Sequence, residues 1–513
     1  MMKDSMGMAM MYLPFFYIAH IWAHIAGYPA DGFSFPYQVM ISFGSLFVAM
    51  TGLFFARKSL LKYFDDQRTA IVLLTLVLAT NYFNYVSFAG AMSHNYLFTI
   101  YSLVIWLTIT WYENPSWLKS FLIGFLCGLA TVTRPTEIII VIIPFMWGMQ
   151  LWKGVPERIH MLWLHRLKIL LCAVAFAIPV LPQLIYWKTM SGQWLYYSYQ
   201  DQGFSWRHPH LYFGMLSYKN GWLVYTPVMT LALAGFVFLF IKRRSIFWAV
   251  FFFTVANIYL VYAWDIWWYG GSFGSRAMVQ SYAVLIFPLA AFFDGFRKKK
   301  MMTAFFGTAV VFCIWLNLLQ TYQCHTPGLF EAENMTGAYY WRIFGKTIVQ
   351  INDKKLLDTD EEMPSKYVAK LATIYEKKSP AFDSLFRVNA FSPLVMMMLG
   401  DTVQFTEKIT IPVAGNENSW YRASAMVFFP QKEWDMWRMT EFQLFLLTKG
   451  TAVKSNMIRI QRVTEEGNWQ QVFMDIRCKP DLHADSLKIL FWNGMGTKKI
   501  FIDDLKVERA VVK

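Results

Sequence analysis

Two patterns of hydrophobic and polar positions divide the chain. Up to about residue 320, long apolar runs are separated by short polar loops, and from about residue 388 apolar and polar positions alternate. An apolar run of about 20 residues is long enough to cross hydrocarbon as a helix, whereas alternation with a period of two predicts a strand. We therefore predict an α-helical polytopic membrane bundle followed by an external all-β sandwich.

The apolar runs predict spans near 38–56, 69–90, 97–112, 119–133, 136–151, 168–187, 222–241, 245–263, 279–295 and 301–320. The run from Met8 to Tyr28 has two possible states, because it could cross the membrane or lie on its outer interface. The predicted domains are an outer juxtamembrane segment (1–37), a multi-span domain (38–320), an external linker with helices (321–387) and the β-sandwich (388–513).

Short alternating segments separated by Gly, Asn, Pro or Asp predict the strands of the sandwich. They are TVQFTEKITI, YRASAMVFF, TEFQLFLLT, NMIRIQRV, WQQVFMDI, SLKILFWN and KKIFIDDLKVER. Before them, the lysine- and aspartate-rich segments KKLLDTDEEM and KYVAKLATIYEKK predict helical patches in the linker.

Composition agrees with a membrane protein, since 56% of residues are hydrophobic and only 16% are charged. The net charge of +14 would suit nucleic acid, but the basic residues cluster in short loops, as the positive-inside rule expects. These loops hold residues 57–68, 153–168, 242–244 and 297–300, and they all fall on one side, which we assign to the cytoplasm. The predicted partner is the lipid bilayer, with no nucleic acid. The five cysteines show no metal-ligand spacing and no disulfide framework.

The loop from Trp264 to Arg276, WDIWWYGGSFGSR, then faces outward and is the first candidate site. Its aromatic side chains, Tyr269 among them, can cover a sugar ring or an amphiphile. Its glycines let the backbone approach a ligand, and the guanidinium of Arg276 suits a phosphate. Asp265 adds a carboxylate to the same loop.

A second external loop, Tyr186 to Pro227, mixes cations with many aromatic residues, which suits an anionic, partly apolar ligand. Its candidate residues are Lys188, Asp201, Arg207, His208 and Lys219. The alternative is an interfacial aromatic belt with snorkelling cations. His208 and His210 flank Pro209 and could bind a metal, but no cysteine or carboxylate has a supporting spacing, so we assign no metal site.

Two external turns complete the candidates. Arg134 lies with Glu137 in TVTRPTE, where a charge so close to hydrocarbon is costly and often functional. The alternative there is an ion pair between the two side chains. His94, in the turn AMSHNY, either binds a ligand or caps the turn.

The segments KDSMGMAMMYLPFF, SHNY, GLATVTRPTE and RAMVQSYAVLIFP together resemble the C-type (GT-C) integral-membrane glycosyltransferase superfamily, over about residues 3–320. The resemblance implies an enzyme of the bacterial inner membrane that takes a sugar from a polyprenyl-phosphate carrier. It would transfer that sugar to a glycan, lipid or protein acceptor at the periplasmic face. It also implies that Lys3 binds the donor phosphate and that Arg276 precedes a proline-bearing late helix. Arg134, Lys188, Arg207 and Arg276 are our candidates for stabilising the departing phosphate.

The chain departs from the family pattern at the catalytic residue. In the family, an aspartate lies in the first external loop, after a first span. We expect its counterpart upstream of Met1, which predicts that the chain starts late and is inactive as written unless another carboxylate takes its place. Asp201 and Asp265 are fallback candidates for the acceptor-activating carboxylate. No cofactor is assigned, and a divalent metal is left open.

Two other functional classes fit part of this pattern. A flippase or transporter for polyprenol-linked glycans shares the spans and outer basic loops, but it should place charges at mid-membrane depth. An oligosaccharide ligase uses a lipid-pyrophosphate donor, typically has an external loop of similar basic character, and is not excluded by the sequence. The last segment, GTKKIFIDDLKVER, is similar to jelly-roll carbohydrate-binding modules, so the sandwich either holds a glycan acceptor or serves as a docking module.

Overall fold

The computed structural model describes residues 5–199, 202–380, 396–414 and 417–512. The chain divides into two compact units, Met1–Glu333 and Asn334–Lys513. Apolar helices form the first unit, and antiparallel sheets form the core of the second. The predicted fold class is therefore confirmed.

The first unit contains fifteen described helices. They are α1 Gly7–Ala26, α2 Phe35–Leu60, α3 Asp66–Ala79, α4 Tyr82–Ser87, α5 Ser93–Glu113, α6 Trp117–Thr133, α7 Ile142–Met146, α8 Leu151–Leu164, α9 Arg166–Ser191, α10 Leu211–Leu216, α11 Trp222–Tyr225, α12 Met229–Lys242, α13 Arg244–Ala263, α14 Tyr282–Gly295 and α15 Lys300–His325. Two 3₁₀ turns, Pro135–Val141 and Arg276–Ser281, precede α7 and α14.

Among the described residues, six helical segments are long and apolar enough to cross a membrane. They are Gly7–Ala26, Phe35–Leu60, Arg166–Ser191, Arg244–Ala263, Arg276–Gly295 and Lys300–His325. The helical unit is thus that of a multi-pass membrane protein. Residues 7–26 qualify by length and composition, which leaves both predicted states of that run open.

Four predicted spans are not continuous α-helices, and one of them, 279–295, begins within the 3₁₀ turn Arg276–Ser281. The run 69–90 breaks at Thr80, whose backbone is extended (φ −129°, ψ 162°). The run 136–151 begins as a 3₁₀ turn behind Pro135, and the run 222–241 is interrupted at Pro227. Proline lacks the N–H that a continuing helix needs, which explains the last two breaks.

Helices α6 and α9 pack closely because α6 carries glycines at Gly124 and Gly128. A Cβ atom on Gly124 would lie 2.0 Å from the carbonyl oxygen of Cys172, and one on Gly128 would lie 2.2 Å from that of Phe176. Small residues allow helix backbones to approach in a membrane. This contact fixes the end of α6, where Arg134 follows.

The basic loops lie together at one end of the helical unit. Contacts between sequence-distant loops show this: Lys62–Glu113 at 2.9 Å, Arg297–Asp65 at 3.4 Å, Arg243–Tyr63 carbonyl at 2.8 Å and Lys168–Pro115 carbonyl at 2.9 Å. These loops therefore lie at the same end of the helical unit, while their side of the membrane stays a prediction. The turns that carry His94, Arg134 and Arg276 lie at the opposite ends of their helices.

The second unit is a β-sandwich with two antiparallel sheets, in the order β1-β9-β4-β7 (with β2 also on β9) and β3-β8-β5-β6. Its strands are β1 Ala372–Lys377, β2 Met397–Leu399, β3 Ile409–Pro412, β4 Ser419–Phe428, β5 Glu441–Thr448, β6 Thr451–Arg459, β7 Gln470–Cys478, β8 Ser486–Trp492 and β9 Ile500–Val511. Short helices Gly337–Ile343 (α16), Ser365–Val368 (α17) and Ile460–Val463 (α18) accompany them.

The alternation of the strands sets their register. Ala423 of β4 lies opposite Met474 of β7 and Val507 of β9, and all three are buried in a core shared by the two sheets. The helical patch predicted over KYVAKLATIYEKK is wrong after Val368, because residues 372–377 pair with β9. The predicted strand NMIRIQRV ends at Arg459, and its last residues turn into α18.

Candidate functional site

The aromatic loop between α13 and α14 is held to residues 203–205 by Asp265. The two carboxylate oxygens of Asp265 accept hydrogen bonds from the Gly203 backbone N–H and the Ser205 hydroxyl, both at 2.8 Å. The Asp265 N–H donates to the Gly203 carbonyl at 3.0 Å. Both oxygens of this fallback base are thus engaged in joining two loops.

The glycine-rich part of the loop is held by hydrogen bonds to Tyr85 of α4 and to Asn81, the residue before α4. The Tyr85 hydroxyl accepts from the Phe273 N–H at 3.1 Å, and Asn81 donates to the Phe273 carbonyl at 3.2 Å. Gly274 has a φ of 62°, and a Cβ atom there would lie 3.0 Å from the Cβ of Tyr225. Glycine is therefore required for the loop to reach Arg276 in this shape.

Tyr269 is the aromatic residue that meets the predicted cations. Its hydroxyl donates to the Val261 carbonyl at 2.9 Å, and its ring centroid lies 5.6 Å from the guanidinium carbon of Arg134. Burial raises the pKa of Tyr269 well above its ordinary value, so the phenol stays neutral. The ring thus offers its π face to a cation.

Arg134 ends α6 and is followed by the turn that Pro135 starts. Within the described residues, no ion pair joins Arg134 to Glu137, so the alternative of a direct ion pair is not observed. Glu137 is buried and accepts hydrogen bonds from the Tyr101 hydroxyl and the Gln280 amide, both at 2.8 Å. Arg134 is half-buried, and the Glu137 carboxylate acts on it electrostatically without forming an ion pair.

His94 opens α5 and lies between Gln280 and Arg134. Its Nδ1 is 3.1 Å from the Gln280 Oε1 and 3.4 Å from Nη1 of Arg134. The Tyr85 ring contacts the imidazole edge-on, with centroids 5.6 Å apart. His94 is only 3% exposed, so it belongs to the interior of the site rather than to a solvated turn.

Arg276 starts the 3₁₀ turn before α14 and is half-buried. Among the residues that the structure describes, its guanidinium makes no hydrogen bond and no ion pair. Its electrostatic neighbours include Tyr85, Tyr269 and Arg134, which carries the same charge. Two half-buried arginines close enough to repel each other, neither in an ion pair with a carboxylate among the described residues, favour an additional anion as a partner.

A narrow cavity of about 10 Å³, with room for about one water molecule, lies beside Arg134 and Tyr269. It is lined by Arg134, Thr136, Glu137, Ile139, Asn257, Leu260, Val261, Tyr269, Ala277 and Gln280. The lining mixes charged and amide side chains with aliphatic ones.

Lys219 belongs to the edge of the same loop. Its Nζ lies 3.7 Å from the centroid of the Trp268 ring, and Asn220 donates to the carbonyls of Trp268 and Gly270 at 3.1 Å. Burial lowers the pKa of Lys219, while the nearby Glu333 carboxylate opposes that shift. The lysine thus covers an aromatic face beside the arginine pair.

Other predicted residues lie elsewhere or are not described. Lys188 donates to the Gly192 carbonyl at 2.8 Å at the end of its own helix. Arg207 and His208 are exposed on the loop that Asp265 holds. Lys3 and Asp201 lie outside the described residues. Across the described part of the chain, no group of three or more His, Cys, Asp or Glu residues could hold a metal.

Sequence reasoning missed Gln280, Tyr85 and Tyr101 as members of this site. A neutral amide or phenol in an apolar run carries no charge signal, and its partners are distant in sequence. The one available signal is that Gln280 follows Arg276 at a polar position within an otherwise apolar span. Glu137 was recognised, but its partners were not.

No family model matches the chain, and no curated protein matches its sequence. Among solved structures, the crystal structure of ArnT from Cupriavidus metallidurans in the apo state is similar. The likeness covers 57% of this chain and 52% of that chain, with 12% sequence identity and a TM-score of 0.37. This chain thus spans about half the length of that solved chain.

Proposed function

We propose that the chain is a C-type glycosyltransferase that moves a sugar from a polyprenyl-phosphate carrier to an acceptor at the exoplasmic face of a bacterial inner membrane. The observation that carries this proposal is the pair Arg134 and Arg276. Both are half-buried, and neither forms an ion pair with a carboxylate among the described residues. A lipid phosphate would supply the missing negative charge.

The surroundings of the pair favour a sugar-bearing lipid over a free anion. Trp267 and Trp268 stand in the loop, with ring centroids 5.6 Å apart, and Tyr269 lies against Arg134. Aromatic faces of this kind cover sugar rings and isoprenoid chains. The turns of the site also lie at the ends of apolar helices, where a membrane lipid can reach them.

The chemistry is a displacement at the sugar carbon that carries the phosphate. The bond between that carbon and the phosphate oxygen breaks, and the acceptor oxygen forms the new bond. The polyprenyl phosphate leaves with the electron pair of the broken bond. The two guanidinium groups stabilise the charge that develops on it, which is the largest contribution that such a site can make.

The transfer of a radiolabelled sugar from polyprenyl phosphate in isolated membranes tests the proposal. Arg134→Ala and Arg276→Ala should each lower transfer by at least about 100-fold, because removing one charge-stabilising donor typically has that effect. Lysine at either position should restore part of the rate, since it keeps the charge but not the bidentate geometry.

Arg166→Ala is the matched control. Arg166 is exposed at the basic end of the helical unit, where its guanidinium donates to the Trp163 carbonyl at 3.3 Å. Transfer by this variant should equal that of the wild type. If both alanine variants of the arginine pair transferred sugar at the wild-type rate, the phosphate assignment would be wrong.

A further inference from the structure

His94 is a buried titratable side chain that contacts Arg134. Its Nδ1 faces Gln280 and Arg134, and no described residue forms a hydrogen bond with its Nε2. A neutral imidazole donates from one nitrogen and accepts at the other. The nitrogen that holds the proton therefore decides what His94 offers to a ligand.

Glu137 determines which way the Gln280 amide points. Both carboxylate oxygens of Glu137 accept hydrogen bonds, Oε2 from the Tyr101 hydroxyl and Oε1 from the Gln280 amide, each at 2.8 Å. The NH₂ group of Gln280 must therefore face Glu137. Its carbonyl oxygen, Oε1, then faces His94.

The orientation of Gln280 in turn determines the proton on His94. The Gln280 Oε1 lies 3.1 Å from Nδ1 and can only accept, so Nδ1 carries the proton. The guanidinium of Arg134 can only donate, and its longer 3.4 Å contact does not compete. The reverse arrangement would require a proton on Glu137 as well as a turned amide.

We propose that Glu137 and Gln280 hold His94 in the Nδ1–H tautomer, so that Nε2 accepts a hydrogen bond from a hydroxyl group of the ligand bound at Arg134 and Arg276. Glu137 and Gln280 are positioning residues, and His94 is the residue that contacts the ligand. The identity of that ligand as a sugar phosphate rests on the proposed function. The tautomer itself does not.

In this proposal, the arginines and His94 contact different groups of the same ligand. The arginines donate hydrogen bonds to the phosphate oxygens, which only accept them. The lone pair on Nε2 would repel a phosphate oxygen but suits a hydroxyl. The site therefore discriminates a sugar phosphate from an anion of the same charge that lacks a hydroxyl at this position.

Nitrogen-15 NMR of the full-length protein, labelled at histidine, reads the tautomer directly. The chain has 9 histidines, so the His94 signals are identified as those absent from His94→Asn. At pH 8, above the ordinary imidazole pKa of about 6.5, we expect His94 to be protonated at Nδ1 and unprotonated at Nε2. A wild-type spectrum with the proton on Nε2 would overturn the inference.

Variants of the positioning residues sharpen the test. Glu137→Gln still offers a carbonyl oxygen to Gln280 and should keep the Nδ1–H tautomer. Glu137→Leu and Gln280→Leu should shift His94 to a mixture of tautomers. An unchanged tautomer in both folded leucine variants would also contradict the proposal.

The outcome is independent of the arginine test. If His94 has the expected tautomer but the alanine variants at Arg134 and Arg276 retain transfer, the positioning network stands and the transferase proposal fails. If the variants lose transfer while His94 carries its proton on Nε2, the transferase proposal stands and this inference fails. The wild-type spectrum decides the inference even where a leucine variant does not fold.

Discussion

Two classes of arginine differ in what surrounds their guanidinium groups. At the basic end, Arg57 pairs with Asp66 at 2.6 Å, and Arg297 has a carboxylate at 3.4 Å. Such exposed pairs contribute about 0–1 kcal/mol each and need no ligand. Arg134 and Arg276 are less exposed and have no such partner among the described residues. Functional interest therefore lies with the unpaired cations.

Asp265 allows a prediction that separates structure from catalysis. Asp265→Asn can keep both contacts, because its carbonyl oxygen accepts from Gly203 and the Ser205 hydroxyl can reverse to accept from the amide. We expect this variant to retain transfer. Asp265→Ala leaves two donors unpaired, at a cost of about 1–3 kcal/mol, and should make residues 202–210 more sensitive to limited proteolysis.

Comparing the two variants decides the role of this carboxylate. Transfer and proteolysis are measured on the same membranes. Loss of transfer in Asp265→Asn with an intact loop would identify Asp265 as the base instead. Retained transfer in that variant excludes a proton-accepting role, since an amide cannot take up the proton.

At this scale, the sequence predicted charged and aromatic members of the site better than neutral ones. His94, Arg134, Tyr269 and Arg276 were all recognised from residue type and position, and the structure brings them together. The partners of His94 could not be predicted, because Gln280 is separated from it by 186 residues. Only the packing of α5 against the turn before α14 brings the two side chains together.

Helix continuity was the weaker prediction at the scale of elements. Hydropathy detects apolar residues but not where an α-helix is interrupted. Both arginines of the pair lie at such interruptions. Arg134 precedes one 3₁₀ turn and Arg276 starts the other. Pro135 explains the break that follows Arg134. The extended Thr80 has neither proline nor glycine beside it, so the break there could not be predicted from the local sequence.

The packing of α6 on α9 supports a stability prediction. Gly124→Ala would place a methyl group 2.0 Å from the Cys172 carbonyl oxygen, so the helices must separate. We expect a loss of about 1–3 kcal/mol, as for other overpacked positions. Thermal unfolding of the detergent-solubilised protein measures it.

Gly307 provides the matched control on α15, since no atom lies within 4 Å of the position that its Cβ would take. Gly307→Ala should leave the unfolding temperature unchanged or raise it slightly, because alanine favours a helix. Equal unfolding temperatures for the two alanine variants would show that the close contact between α6 and α9 does not contribute to stability.

At the scale of the molecule, the basic loops and the candidate site occupy opposite ends of the helical unit. Composition and charge predicted this arrangement, because the positive-inside rule acts on loops that can be read directly from the sequence. The assignment of the site to the exoplasmic face can be tested by labelling. We expect Gln193→Cys and Met495→Cys, in a variant lacking the five native cysteines, to react with a membrane-impermeant maleimide in spheroplasts.

Lys298→Cys is the opposite marker, since Lys298 is exposed in the basic loop before α15. It should react only after the membrane is permeabilised. Reaction of Lys298→Cys in intact spheroplasts, with Gln193→Cys protected, would invert the topology. The proposed site would then face the cytoplasm, where it could not act on an exoplasmic acceptor.

The hydrogen bonds that link Glu137, Gln280 and His94 also restrict which substitutions this protein can accept during evolution. Its three residues come from three separate segments, yet each defines the hydrogen-bonding direction of the next. A single replacement leaves a buried polar group facing a partner of the wrong polarity. Over evolutionary time, the residue types at 94, 137 and 280 should therefore be kept or exchanged as a set, and this covariation should persist where the surrounding apolar residues drift freely.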